Sequence, residues 1–129
     1  MADRPLRILL ADDNAIVQKI TLAVLERLGY EARGVMNGAD AVAALKTDSF
    51  DAVLMDVQMP VKDGLQATAE IRATLPPERQ PYIVGITASI TGEICEACLA
   101  AGMDDYLSKP FAPQALEDAL EEARRRRPE

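Results

Sequence analysis

Five short apolar runs alternate along the chain with longer stretches that carry apolar residues at helical spacing. That alternation is the strongest constraint on the fold. Runs of this kind are too short and too uniformly apolar for half-exposed strands, so they read as strands buried on both faces. The first is Ile8 to Ala11, and the third is Ala52 to Met55, ending at Asp56. The fourth is Tyr82 to Ile86, ending at Thr87, and the fifth is Asp105 to Ser108, ending at Lys109-Pro110. The second, near Tyr30 to Val35, alternates less cleanly and suits a sheet edge. Strand–helix alternation repeated five times predicts an α/β protein, a doubly wound parallel sheet covered on both faces with right-handed crossovers. The pattern alone does not give the strand order.

The punctuation between strands agrees. Asn14 can cap a first helix, on which Val17, Ile20, Val24 and Leu28 recur at helical spacing before Gly29. Asn37 starts a second helix, with Asp40 in a capping-box-like position and Ala41, Ala44 and Leu45 on its inner face. Pro60 and Gly64 mark a loop before a helix from about Leu65 to Ala73, and Pro76, Pro77 and Pro81 break the chain before the fourth strand. A fourth helix runs from near Thr91 to Gly102. The last begins at Pro113 and carries Leu116, Ala119, Leu120 and Ala123.

Composition narrows the function. With 129 residues, 49% of them apolar, the chain can bury a core without disulfide or metal staples. A formal net charge of −7 opposes binding to a phosphate backbone, so no direct nucleic-acid partner is expected. The one basic run, Arg124 to Arg127, suits a solvated helix C-terminus. No stretch approaches the roughly 20 apolar residues of a membrane span, and the N-terminal Met-Ala-Asp-Arg-Pro lacks the apolar core of a signal peptide, so a cytoplasmic location is expected. Cys95 and Cys98 form a C-x-x-C inside a helical stretch, with no second pair and no histidine to complete a metal site, and read as small helix residues. Histidine is absent throughout, so any phosphohistidine chemistry would need another protein.

The polar residues at the strand ends carry the chemistry. Asp12 and Asp13 follow strand one, Asp56 strand three, Thr87 strand four and Lys109 strand five. In a parallel sheet those positions share the carboxyl edge, where α/β folds bind ligands. Clustered carboxylates repel and call for a cation, and hard oxygen ligands suit Mg²⁺. A carboxylate facing a phosphoryl group can act as a nucleophile, with Lys109 and Thr87 placed for its oxygens. Each residue alone has a plain reading as a helix cap, strand end or surface lysine. The five together at successive strand ends do not.

The segments LLADDN, VLMDVQMPVKDG, IVGITAS and DDYLSKPF resemble those of response-regulator receiver domains, and the resemblance runs from about Arg7 to Leu120. It implies one receiver domain over 1–129, with a core of about 7–120, and a flavodoxin-like (βα)5 sheet of order 2-1-3-4-5. It implies that Asp56 accepts the phosphoryl group. Asp13, Asp56 and the backbone carbonyl of Gln58 would bind Mg²⁺, and Asp12 would act through a metal-bound water. Lys109 would contact the phosphoryl group, ahead of a cis bond to Pro110, and Thr87 and Tyr106 match the pair that reorients on phosphorylation. The phosphodonor would be a histidine kinase or a histidine phosphotransfer protein. The segments DVQMP and AGMDDYLSKPF most resemble receivers of hybrid sensor kinases or stand-alone regulators, and Met1 with the short tail favours the latter. Apart from its own phosphorylation and dephosphorylation, such a domain is no enzyme. A haloacid-dehalogenase-like phosphotransferase or phosphatase is the alternative, but it would need an acid where Gln58 stands. A nucleotide-binding module would need glycines where Asp12 and Asp13 stand.

Overall fold

The computed structural model describes residues 6–57, 59, 62–88, 91–109 and 112–126. Strands β1 (Arg7–Ala11), β2 (Glu31–Val35), β3 (Ala52–Asp56), β4 (Tyr82–Thr87) and β5 (Asp105–Ser108) alternate with α1 (Ala15–Arg27), α2 (Gly38–Thr47), α3 (Gly64–Thr74), α4 (Gly92–Ala101) and α5 (Pro113–Arg126). All strand pairs are parallel and the order is β2-β1-β3-β4-β5. The fold class and strand order are those expected, and β2 lies at the edge.

Side-chain alternation along each strand divides the core in two. Leu9, Val53, Met55 and Ile83 point to one face, where they meet Ala41 and Leu45 of α2, Ala67 and Ile71 of α3, and Cys98 of α4. Ile8, Leu10, Leu54, Val84 and Ile86 point to the other, against Leu25 of α1 and Leu116, Ala119, Leu120 and Ala123 of α5. Both faces of the central strands are therefore dry, which is why β3 and β4 read as unbroken apolar runs.

The helix starts are set by side-chain caps. Asn14 accepts hydrogen bonds from the backbone N–H groups of Ile16 and Val17, and Thr91 accepts one from Ile94. Asn37 accepts from the Asp40 N–H, but Asp40 receives the Asn37 side-chain amide rather than the backbone N–H. The reciprocal capping box forms instead at Asp63 and Gln66, which starts α3 at Gly64. Gly29 (φ 95°) and Gly102 (φ 108°) take the left-handed conformation that ends α1 and α4. On α1 the buried residues are Thr21 and Leu25, so the stripe of Val17, Ile20, Val24 and Leu28 lies to one side of the inner face. At the far end of the chain, Arg124 pairs with Glu121, and Arg125 and Arg126 pair with Glu122. Arg127 lies outside the described residues.

Candidate functional site

The carboxyl ends of β1, β3, β4 and β5 meet in one cleft of about 540 Å³, lined by Asp13, Asn14, Asp56, Met59, Thr87 and Lys109. Asp12 sits behind it. Its N–H donates to the Val35 carbonyl at 3.1 Å, and its side chain accepts from the Asn14 N–H at 2.9 Å. Asp12 is 3% exposed and Asp56 7% exposed, whereas Asp13 is open to solvent. One carboxylate oxygen from each of the three lies within 4.8 Å of the others.

The Lys109 ammonium bridges the two buried members of the trio. Its Nζ lies 2.9 Å from Asp56 Oδ2 and 3.3 Å from Asp12 Oδ2. Burial works to lower its pKa, but the hydrogen bond and charge of Asp56, followed by those of Asp12, outweigh burial and raise it. The cation is thus held on the carboxylates it offsets. Its backbone is fixed too, since the Lys109 N–H donates to the Thr87 carbonyl at 2.8 Å. Thr87 ends β4 and is buried.

The loop after β3 is held by contacts that act through the backbone. The Val57 N–H donates to the Ile86 carbonyl at 2.8 Å and the Gly64 N–H to the Val57 carbonyl at 3.0 Å. A Cβ on Gly64 would collide with the Asp56 carbonyl oxygen, so the close approach of α3 to Asp56 requires glycine. Sequence reasoning took Gly64 only as a loop marker. It passed over Gln18, whose amide reaches the carbonyls of Asp12 and Val35. Neither residue has a local signature, because a loop glycine and a helix glutamine are ordinary.

Of the expected site residues, Asp12, Asp13, Asp56, Thr87 and Lys109 come together. Gln58 lies outside the described residues, as do Pro110 and its peptide bond. Tyr106 stands opposite Gly85 on the β4 side and packs half-buried against the core under α4. Its hydroxyl shares a hydrogen bond with Cys95, which raises its pKa. Cys98 is buried beside it on α4, and burial pushes its thiol pKa up. Two apolar residues near the cleft face water: Ile16 is 73% and Ile20 60% exposed. An apolar groove of about 420 Å³ lies between α1 and α5, lined by Val17, Ile20, Val24, Lys109, Pro113 and Leu116. No helix among the described residues is long and apolar enough to cross a membrane.

Residues 8–121 match the family model of the response regulator receiver domain. The chain is 41% identical over 118 residues to the sensor protein GacS of Pseudomonas syringae, covering 90% of this chain and 13% of that protein. It is 37% identical over 123 residues to hybrid signal transduction histidine kinase H of Dictyostelium discoideum, covering 92% of this chain and 9% of that protein. The chain therefore spans a small part of the curated relatives it matches. Among solved structures it resembles the receiver domain of sensor histidine kinase PA1611 from Pseudomonas aeruginosa, which holds a magnesium ion in its active-site cleft. The TM-score is 0.83 at 41% identity, covering 92% of this chain and 96% of that one.

Proposed function

This chain belongs to the response regulator receiver domain family, and on that premise we propose that it is a single phosphorylation-activated switch whose phosphoacceptor is Asp56. The observation that carries this reading is the Lys109 ammonium, 2.9 Å from Asp56 and 3.3 Å from Asp12 at the sheet's carboxyl edge. In the reaction proposed, a carboxylate oxygen of Asp56 attacks the phosphorus of a phosphohistidine. The new O–P bond forms as the N–P bond breaks, and the histidine nitrogen keeps the electron pair.

Three carboxylate oxygens within 4.8 Å of one another, two on buried residues and one on an exposed one, make a hard donor set open on one side. That set fits Mg²⁺, which prefers oxygen and keeps several of its waters. Asp12, Asp13 and Asp56 would hold it, with the Gln58 carbonyl as the further ligand the resemblance implies. When bound, the cation would offset the charge on the transferring phosphoryl oxygens. Lys109 is placed to move from carboxylate to phosphoryl oxygen, a charge-assisted contact that a buried site strengthens. Thr87 can donate its hydroxyl to the same group. Tyr106, one strand over, would take up the space that Thr87 leaves as it turns, which passes the change to α4.

The phosphodonor is proposed to be a histidine kinase or a histidine phosphotransfer protein on the cytoplasmic side. Its imidazole must approach Asp56 in line, so its body has to cover the carboxyl edge. The apolar groove beside Lys109, lined in part by Ile20, and the exposed Ile16 on the same helix support α1 as part of that contact. A haloacid-dehalogenase-like reaction is disfavoured by Gln58, which cannot serve as its general acid.

Intact mass after incubation with Mg²⁺ and a small acyl phosphate tests the reading. The wild type should gain one phosphoryl group and Asp56→Asn none. Efficient labelling of the variant at another residue would remove Asp56 from its role.

A further inference from the structure

Gln18 sits in the first half of α1, turned toward the end of β2. Its side-chain amide donates to two backbone carbonyls, Val35 at 2.7 Å and Asp12 at 3.3 Å. Val35 closes β2, and its carbonyl also receives the Asp12 N–H at 3.1 Å. Asp12 is thus gripped on both sides: its N–H by β2 and its carbonyl by Gln18. That carbonyl belongs to the peptide unit leading into Asp13. Restraining it limits rotation of the unit that aims the Asp13 carboxylate.

A second element carries the matching feature. A Cβ on Gly34 would lie 2.6 Å from Gln18 Cδ and 2.7 Å from its Oε1, so a side chain there would push the amide away. Glycine weakens a strand, and an interior strand glycine often marks the close approach of another group. Here the group is the Gln18 amide. Through the Asp12 and Val35 carbonyls, the two residues shape the loop on which the exposed Asp13 stands.

We infer that Gln18, given room by Gly34, is a positioning residue for the cation site, holding the Asp12–Asp13 peptide so that the Asp13 carboxylate converges with those of Asp12 and Asp56. This rests on the reading of the acidic trio as a Mg²⁺ site. Asp13 is solvent-exposed and would otherwise pay the cost of ordering at the moment of binding. Groups that orient a metal ligand without touching the metal commonly set affinity in this way.

Calorimetric Mg²⁺ titration of the whole chain tests it, paired with melting in chelator. Gln18→Met keeps the length but removes the donor. Gly34→Ala keeps the donor but displaces it, and the nearest atoms in the way are the movable end of Gln18. Each should bind Mg²⁺ about tenfold more weakly than wild type. The double variant should be no weaker than either single one, because both break the same clamp. Lower melting temperatures with wild-type affinity would reduce Gln18 to a tie between α1 and β2 and overturn the inference. Fully additive losses would overturn the shared clamp. A wild-type chain that takes up no Mg²⁺ would instead overturn the metal reading beneath it.

Discussion

Asp13 is the exposed member of an acidic trio whose other two members are buried against Lys109. Without a cation its charge is repelled by the neighbouring carboxylates. With one, it supplies a ligand. Asp13→Ala should therefore melt no lower than wild type in chelator but gain less from added Mg²⁺. Each tenfold loss of affinity removes about 1.4 kcal/mol of ligand-linked stability at saturating metal. Melting curves with and without Mg²⁺ measure the difference, and an unchanged metal gain in the variant would exclude Asp13 as a ligand. Asp12, Asp13, Asp56, Thr87 and Lys109 could be read from sequence because each is polar and follows an apolar run. Gln18 and Gly64 could not, because they act on backbone carbonyls 6, 8 or 17 positions away in the chain. Only the folded loops reveal which carbonyl a glutamine reaches or a missing Cβ spares.

At the scale of elements, α1 shows where periodicity stops being informative. Nearly every position from Ala15 to Leu25 is apolar or small apart from Gln18 and Lys19, so several stripes fit a helix equally well. The inner face proves to be Thr21 and Leu25, and the surplus apolar residues turn outward beside the cleft. Ile16, at 73% exposure, has almost no burial to lose. Ile16→Asp should then leave stability within about 0.5 kcal/mol of wild type. It should also leave labelling by a small acyl phosphate intact and slow phosphotransfer from a phosphohistidine protein. Normal transfer would remove Ile16 from the docking surface. The ends of α2 and α4 were more legible, because Asn37, Thr91 and Gly102 leave few alternatives for cap and stop. The helix α3 starts at Gly64, one residue before Leu65, because the Asp63 side chain caps it.

For the molecule as a whole, alternation of strand and helix sufficed for a parallel sheet covered on both faces, while the strand order came from resemblance. No local signal says that β1 will lie between β2 and β3; that is decided by which helices bury which face. One long-range contact that no pattern announces ties the two ends of the α1–α5 layer. Tyr30, in the turn before β2, donates its hydroxyl to Glu121 of α5 at 3.0 Å. Tyr30 is 5% exposed, and burial, then the hydrogen bond to Glu121 and its charge, push its pKa up to about 12. An unfolded tyrosine ionises near 10, as the reference value gives. Above that point the unfolded chain releases a proton that the folded chain retains, so rising pH favours unfolding. The stability tied to this group is complete below pH 10 and lost as pH climbs through about 12. A shift of that size corresponds to about 2–3 kcal/mol at most. Lys109 and Tyr82 are also raised and act in the same direction. Tyr30→Phe removes the titration along with the hydrogen bond, leaving Glu121 its partner Arg124. The variant should be less stable by about 1 kcal/mol at neutral pH. Its urea midpoint should then fall less steeply than that of the wild type above pH 10, so that the gap between the two curves closes as pH rises through that window. Parallel curves across that window would show that Tyr30 ionises alike in the folded and unfolded chain.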